Sequence, residues 1–258
     1  MPADQTRPDA AKTRQNDPLP EHLDGVALFL DIDGTLLDIA SAPDAVAVEP
    51  GLPEALGRLS DKLSGALALI TGRPVDLVDR LFPGNRAFVS GLHGAELRDN
   101  EGNIQRPKVN EAFERAREKV KSAVSGSAGV IFEDKGAAFA AHYRLAPERE
   151  RDVGELMAEA ARPAGDGWTL QTGKCVVELR PRGRDKGDAL RNFMAKPPFR
   201  GRHPLAVGDD VTDETMFEAA NGLGGRAGRG GGPAGPTAAS GWVEAPADIR
   251  AWIARISA

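Results

Sequence analysis

Val26-Ala27-Leu28-Phe29-Leu30-Asp31-Ile32-Asp33-Gly34-Thr35 is the stretch from which the rest of the chain is read. Five consecutive apolar residues suit a strand buried on both faces of a parallel sheet, and the run ends abruptly in two carboxylates on a turn. Downstream, Leu52, Ala55, Leu56, Leu59 and Leu63 recur at helical spacing behind Pro50 and Pro53. A second apolar run over residues 66–70 then closes on Thr71-Gly72-Arg73, which completes a βαβ unit. The pattern continues with a helix over 74–82 and a strand over 87–90 leading into Gly91-Leu92-His93-Gly94-Ala95-Glu96. Far along the chain, a run over 205–207 ends in Gly208-Asp209-Asp210-Val211-Thr212-Asp213-Glu214.

The middle of the chain follows a different order. Residues 111–124 and 147–161 have helical periodicity, while 129–133, 137–144, 168–171 and 175–180 read as strands. This αββαββ order suits an inserted α+β unit sitting as a cap, with charged, proline-containing connections at 102–110 and 180–187. The expected fold is therefore α/β, a Rossmann-like parallel-sheet core with an α+β cap. The expected division is a disordered tail over 1–24, a core over 25–106 and 184–258, and a cap over 107–183. The glycine-rich segment 222–236 contains Gly222-x-Gly224-x-x-Ala227, but no apolar strand precedes it, so it is expected to be a solvent loop rather than a dinucleotide site.

Composition narrows the function. With 33 basic and 38 acidic residues the formal charge is −5, which gives no footprint for nucleic acid. One cysteine, Cys175, excludes an intrachain disulfide and a multi-cysteine zinc site. No apolar run is long enough to span a membrane and no secretory leader is visible, so a cytoplasmic location is expected. A monomer without a nucleic-acid or membrane partner is also expected. Thirty glycines and 19 prolines argue against coiled coils and helical bundles.

Four strand ends supply polar residues: Asp31 with Asp33, Thr71, His93, and Asp209 with Asp210 and Asp213. Ligands of open parallel sheets lie beyond the carboxyl ends of the strands, so these groups are expected to converge on one crevice. Paired carboxylates on a sharp turn need a positive partner, and oxygen ligands without His or Cys suit Mg²⁺ held by Asp31, Asp33 and Asp209. Each residue also has a plainer role open to it. Asp33-Gly34 is a common turn, Thr71 could cap the following helix, and His93 could be a core histidine. Lys186 could be solvated, and Asp213 with Glu214 could be favourable charges at a helix start. Cys175 and Arg180 stand as Cys-x4-Arg rather than the Cys-x5-Arg of cysteine-based phosphatases, and Arg202-His203-Pro204 misses the Arg-His-Gly of histidine acid phosphatases.

Asp31-Ile32-Asp33-Gly34-Thr35, Thr71, Lys186 and Gly208-Asp209-Asp210 together resemble the four motifs of haloacid dehalogenase-type phosphohydrolases. The resemblance implies that Asp31 forms an aspartyl phosphate, and that Asp33 protonates the leaving oxygen and later deprotonates water. It also implies that Gly34 admits the phosphoryl group, Thr71 donates to it, Lys186 balances charge, and Mg²⁺ is the cofactor, with Asp210 and Asp213 acting through water. A narrower resemblance rests on residues 91–96, Glu133-Asp134-Lys135-Gly136, His142-Tyr143-Arg144, residues 173–181 and residues 208–214. These are similar to trehalose-6-phosphate phosphatases from about Leu23 to the C-terminus, with the glycine-rich segment and the tail outside the similarity. In the segment 174–180, Lys174, Val176, Glu178 and Arg180 share one strand face and Cys175, Val177 and Leu179 the other. The resemblance carries Glu133, Lys135, Arg144, Lys174 and Glu178 over as sugar contacts, with Arg73 and His93 also expected on the substrate. The implied activity is hydrolysis of trehalose 6-phosphate. A phosphatase for another sugar phosphate and a non-catalytic phosphosugar-binding protein are the alternatives.

Overall fold

The computed structural model describes residues 16–40, 46–232 and 235–258. The strands in chain order are β1 (Val26–Leu30), β2 (Leu67–Ile70), β3 (Phe88–Gly91), β4 (Glu96–Arg98), β5 (Ile104–Gln105), β6 (Ile131–Asp134), β7 (Phe139–His142), β8 (Trp168–Gly173), β9 (Val176–Pro181), β10 (His203–Gly208), β11 (Arg226–Gly230) and β12 (Gly241–Val243). The helices are α1 (Leu52–Lys62), α2 (Val75–Leu81), α3 (Glu111–Val124), α4 (Glu150–Ala161), α5 (Lys186–Met194), α6 (Glu214–Gly222) and α7 (Pro246–Ile256).

Eight strands form one sheet in the order β12-β11-β10-β1-β2-β3-β4-β5. It is parallel from β12 to β3, and β4 and β5 add antiparallel. The near-continuous apolar content of β1 and β2 follows from burial on both faces: Ala27 to Leu30 and Leu67 to Ile70 are fully buried. Helices α1 and α7 pack together, as do α5 and α6. Phe29 of β1 stacks on Phe199 at a centroid distance of 5.4 Å, and Phe88 of β3 meets the same ring edge-on at 5.0 Å. No helix among the described residues is long and apolar enough to cross a membrane.

The remaining four strands form an antiparallel sheet, β6-β7-β9-β8, with its own core. Phe113, Ala116 and Val120 of α3 and Val153 and Met157 of α4 cover one face, meeting Phe139, Ala141, Val177 and Leu179. The other face carries two rows set by the register. One row is Glu133, Ala140, Glu178 and Gln171, and the next is Ile131, His142, Val176 and Gly173. Val177 and Leu179 thus fall on the apolar face, and Val176 and Glu178 on the other, as alternation requires. Lys174 and Cys175 form the two-residue turn of the β8–β9 hairpin, with Cys175 at φ +60°.

Two expectations are corrected. The segment expected to be a solvent loop contains β11, a parallel strand between β10 and β12 with Ala227 and Gly228 buried. Its glycines hide it from an apolar-run reading because neighbouring chain lies against it: a Cβ on Gly228 would stand 2.5 Å from the side chain of Leu19. The tail expected to be disordered is structured from residue 16, while residues 1–15 lie outside the described residues. Asn16 brackets the backbone of Trp242, its side-chain oxygen accepting from the amide at 2.9 Å and its nitrogen donating to the carbonyl at 3.1 Å. The Asp17 amide donates to Ser240, and the Trp252 indole donates to the carbonyl of Pro20 at 2.9 Å. Glycine is needed at 241 because a Cβ there would lie 1.8 Å from the carbonyl oxygen of Asp17.

Candidate active site

The parallel strands deliver their carboxyl ends to one cleft of about 830 Å³ between the two sheets, within the range of small-molecule sites. All the candidate residues except Gly34 and Asp213 line it: Asp31, Asp33, Thr71, Arg73, His93, Lys186, Asp209 and Asp210 on one side, and Glu133, Lys135, Arg144, Lys174 and Glu178 on the other.

Lys186 opens α5, whose preceding residue Asp185 caps the helix by accepting from the Asp188 amide at 2.8 Å. Its Nζ donates to Asp31 Oδ1 and Asp213 Oδ1, each at 2.7 Å, and all three side chains are buried. Burial alone would lower the Lys186 pKa, but Asp213 and Asp31 outweigh it and hold the ammonium above its ordinary value. The other oxygen of Asp213 accepts from the amides of Asp209 and Asp210 at 3.0 and 3.1 Å. Asp213 is thus the support of the ammonium and of the turn carrying Asp209, and the plain reading of a charge at a helix start understates it. Asp210 is exposed, and its side chain accepts from the Val211 amide.

Gly34, at φ +79°, is fixed by its neighbour as well as by its turn: a Cβ there would lie 2.1 Å from Asp209 Oδ2. Thr35, which the sequence reading left without a role, donates to Asp209 Oδ1 at 3.2 Å. Carboxylate oxygens of Asp31, Asp209 and Asp213 lie within 4.8 Å of one another. Burial, with repulsion from Asp213, pushes Asp209 up to about 6, and burial with Asp213, Asp209 and Asp33 raises Asp31 well above the ordinary range despite Lys186. Asp33, expected with these carboxylates as a metal ligand, is instead turned to Arg73, with contacts of 2.7 and 2.6 Å.

Thr71 does not cap α2, whose N-cap is Pro74; its hydroxyl oxygen accepts from the Arg73 amide at 3.1 Å. The Val75 amide at that helix start is taken by Glu96 at 2.8 Å. Leu92 and His93 stand at φ +48° and +55°, a costly conformation for non-glycine residues, and their amides bond the carbonyls of Arg73 and Thr71. The strained turn therefore fixes the Thr71 loop. His93 faces the cleft, with its Nε2 3.8 Å from Glu178 Oε2, and burial lowers its pKa.

On the opposite sheet, Lys135 Nζ lies between Glu178 Oε2 at 3.3 Å and Glu133 Oε2 at 3.7 Å. Burial would raise the pKa of Glu178, yet Lys135 and His93 bring it down to about 2. Its Oε1 is buried without a hydrogen-bond partner among the described residues. Arg144 reaches across the cleft to donate to the Ala40 carbonyl at 3.2 Å. His142, which its motif places beside Arg144, also lines the cleft, as does Gln171, which the sequence reading did not single out as a candidate. Counting register outward from the Lys174-Cys175 turn places Gln171 beside Glu178, which is the signal that could have found it.

The chain matches the family model described as trehalose-phosphatase over residues 29–227. It is 50% identical over 235 residues to a probable trehalose-phosphate phosphatase of Sinorhizobium fredii, covering 91% of this chain and 89% of that one. It is 39% identical to a trehalose-6-phosphate phosphatase of Escherichia coli, over 90% and 86% of the two chains. Among solved structures, a trehalose-6-phosphate phosphatase related protein superposes with TM-score 0.76 at 27% identity, over 90% and 96%. The C-terminal domain of a C. albicans trehalose-6-phosphate phosphatase shares the fold, with TM-score 0.75 at 20% identity over 95% and 99%. With the family match spanning both the parallel-sheet unit and the four-stranded antiparallel unit, and two relatives matched over most of their length, the chain belongs to the trehalose-phosphatase family.

Proposed function

We propose that this protein hydrolyses trehalose 6-phosphate to trehalose and inorganic phosphate in the cytoplasm, as a monomer with Mg²⁺. The observation that carries the reading is the pairing within one cleft of a phosphoryl-transfer group, Asp31 with Lys186, and a sugar-matching face, Glu133, Lys135 and Glu178. The family match and the two named relatives support the substrate.

Asp31 attacks phosphorus, a carboxylate oxygen–phosphorus bond forms, and the bond from phosphorus to the sugar oxygen breaks. Asp33 supplies the proton that the departing alkoxide needs. In the second half, Asp33 takes a proton from water, the water oxygen bonds to phosphorus, and the bond to Asp31 breaks to release phosphate and restore the carboxylate. Lys186 favours the ionised form of Asp31 against its burial and offsets the charge of nucleophile and phosphate, while Thr71 has a hydroxyl proton to offer a phosphoryl oxygen.

The all-oxygen donor set fits Mg²⁺, and a cation there would offset the burial and the mutual repulsion that raise the pKa values of Asp31 and Asp209. Since Asp213 is engaged by Lys186 and two amides, Asp31 and Asp209 are the residues to hold the ion. When bound, it would neutralise charge on the transferring phosphoryl oxygens. The test is phosphate release over a panel of sugar phosphates. Trehalose 6-phosphate is expected to give the highest kcat/KM, and faster cleavage of sucrose 6-phosphate or a monosaccharide phosphate overturns the substrate assignment.

A further inference from the structure

We propose that His142 is a positioning residue for substrate selection, acting through Glu133; the proposal rests on the reading of the cleft as a sugar-phosphate site. His142 and Glu133 belong to adjacent rows on the cleft face of the cap sheet, since His142 pairs with Ile131 and Glu133 follows two residues along the same strand. His142 Nε2 lies 2.8 Å from Glu133 Oε2. Lys135 approaches that same oxygen at 3.7 Å, too far for a hydrogen bond, so His142 is the hydrogen-bonded partner of Glu133 among the described residues. Both neighbours thus engage Oε2, leaving Oε1 for a ligand hydroxyl. Glu178 is arranged alike, with Lys135 on Oε2 and Oε1 without a hydrogen-bond partner among the described residues.

An ionised glutamate that must accept a sugar hydroxyl loses binding free energy if its side chain is free to rotate or to turn fully onto Lys135. The Glu133 pKa is held below the ordinary range against burial, through His142 and Lys135, so it stays an acceptor. In its own row His142 is flanked by Ile131 and Val176, which leave its ring no other polar neighbour across the strands. No polar cross-strand neighbour in that row therefore competes with Glu133 for the His142 Nε2.

The test compares His142→Ala, His142→Gln, Glu133→Ala and the double variant His142→Ala/Glu133→Ala, each with trehalose 6-phosphate and with p-nitrophenyl phosphate. His142→Ala should lose about tenfold in kcat/KM for trehalose 6-phosphate, the worth of one charge-assisted hydrogen bond, and several-fold less for p-nitrophenyl phosphate. Glutamine places a donor near the position of Nε2, so His142→Gln should recover most of that loss. The double variant should be no slower than Glu133→Ala alone, because there is nothing left to position. Equal losses on the two substrates, failure of glutamine to rescue, or additive losses in the double variant overturn the proposal, the last by making His142 a direct sugar contact. Failure of the sugar-phosphate reading itself is distinguishable, because it shows in the unmodified protein as no preference for trehalose 6-phosphate over p-nitrophenyl phosphate.

Discussion

Arg73 grips both oxygens of Asp33, its Nε 2.7 Å from Oδ2 and its Nη2 2.6 Å from Oδ1. A fork of this kind fixes orientation as well as charge. Asp33 must release one oxygen to meet the leaving group, and Arg73 must then keep the other aligned. Replacing the fork by a point charge in Arg73→Lys should lower kcat about tenfold on trehalose 6-phosphate and p-nitrophenyl phosphate alike. Inhibition by inorganic phosphate separates the roles. An unchanged inhibition constant is expected if Arg73 serves Asp33, and a proportionate weakening would return it to the substrate-contact role expected from sequence.

Asp31→Asn should leave the fold intact and reduce turnover to below about one per cent of wild type, since an amide is a poor nucleophile. Circular dichroism checks the fold and phosphate release the turnover. Retention of more than a tenth of wild-type activity rules out the aspartyl-phosphate route.

Asp213→Ala should damage stability as much as activity. Asp213 is fully buried, and its removal leaves the Asp209 and Asp210 amides without their acceptor and Lys186 with one partner instead of two. Breaking a buried charge pair of this kind costs about 3 kcal/mol or more. Urea denaturation measures it, and a loss below about 1 kcal/mol would mean that the helix start tolerates the gap.

The pH dependence has a definite sign. Asp209 has a pKa near 6 in the folded chain without metal, above the ordinary 3.8, so between these values the folded state binds more protons than the unfolded one. Its contribution therefore falls as pH rises from about 4 to about 6, and it is unfavourable above that. The change in melting temperature over this window, in EDTA, should be more negative for wild type than for Asp209→Asn. Added Mg²⁺ should stabilise wild type increasingly towards neutral pH and restore the activity that EDTA removes. Equal slopes for the two proteins would contradict the crowding of carboxylates.

The parts legible in the sequence are those in which one segment suffices. The apolar run of β1 announces burial on both faces, and the alternation from Val176 to Arg180 sorts itself into two faces, whereas Lys174 and Cys175, expected in the same alternation, form the hairpin turn instead. The convergence of strand ends follows from the parallel order, and the four motifs placed Lys186 beside Asp31 across the chain. What stayed hidden depends on distant partners. β11 is a strand because β10 and β12 flank it, and its glycines reflect what presses on it rather than a turn. The Asp33–Arg73 fork, the two amides on Asp213 and the Thr35–Asp209 bond each join residues whose local patterns admit several roles.

The bracket of Asn16 on Trp242 bears on colloidal behaviour. β12 is the last strand on its side of the sheet, and an open strand edge is a template on which a second molecule can pair. One amide side chain reproduces there the two hydrogen bonds that an incoming backbone would make, and Asp17 closes the position beside it. The segment before the first strand thus serves as a built-in shield against self-association. A chain trimmed to begin at Leu23 would keep the cleft whole while baring an adhesive border, and would be expected to gain a concentration-dependent tendency to clump without any change in its chemistry.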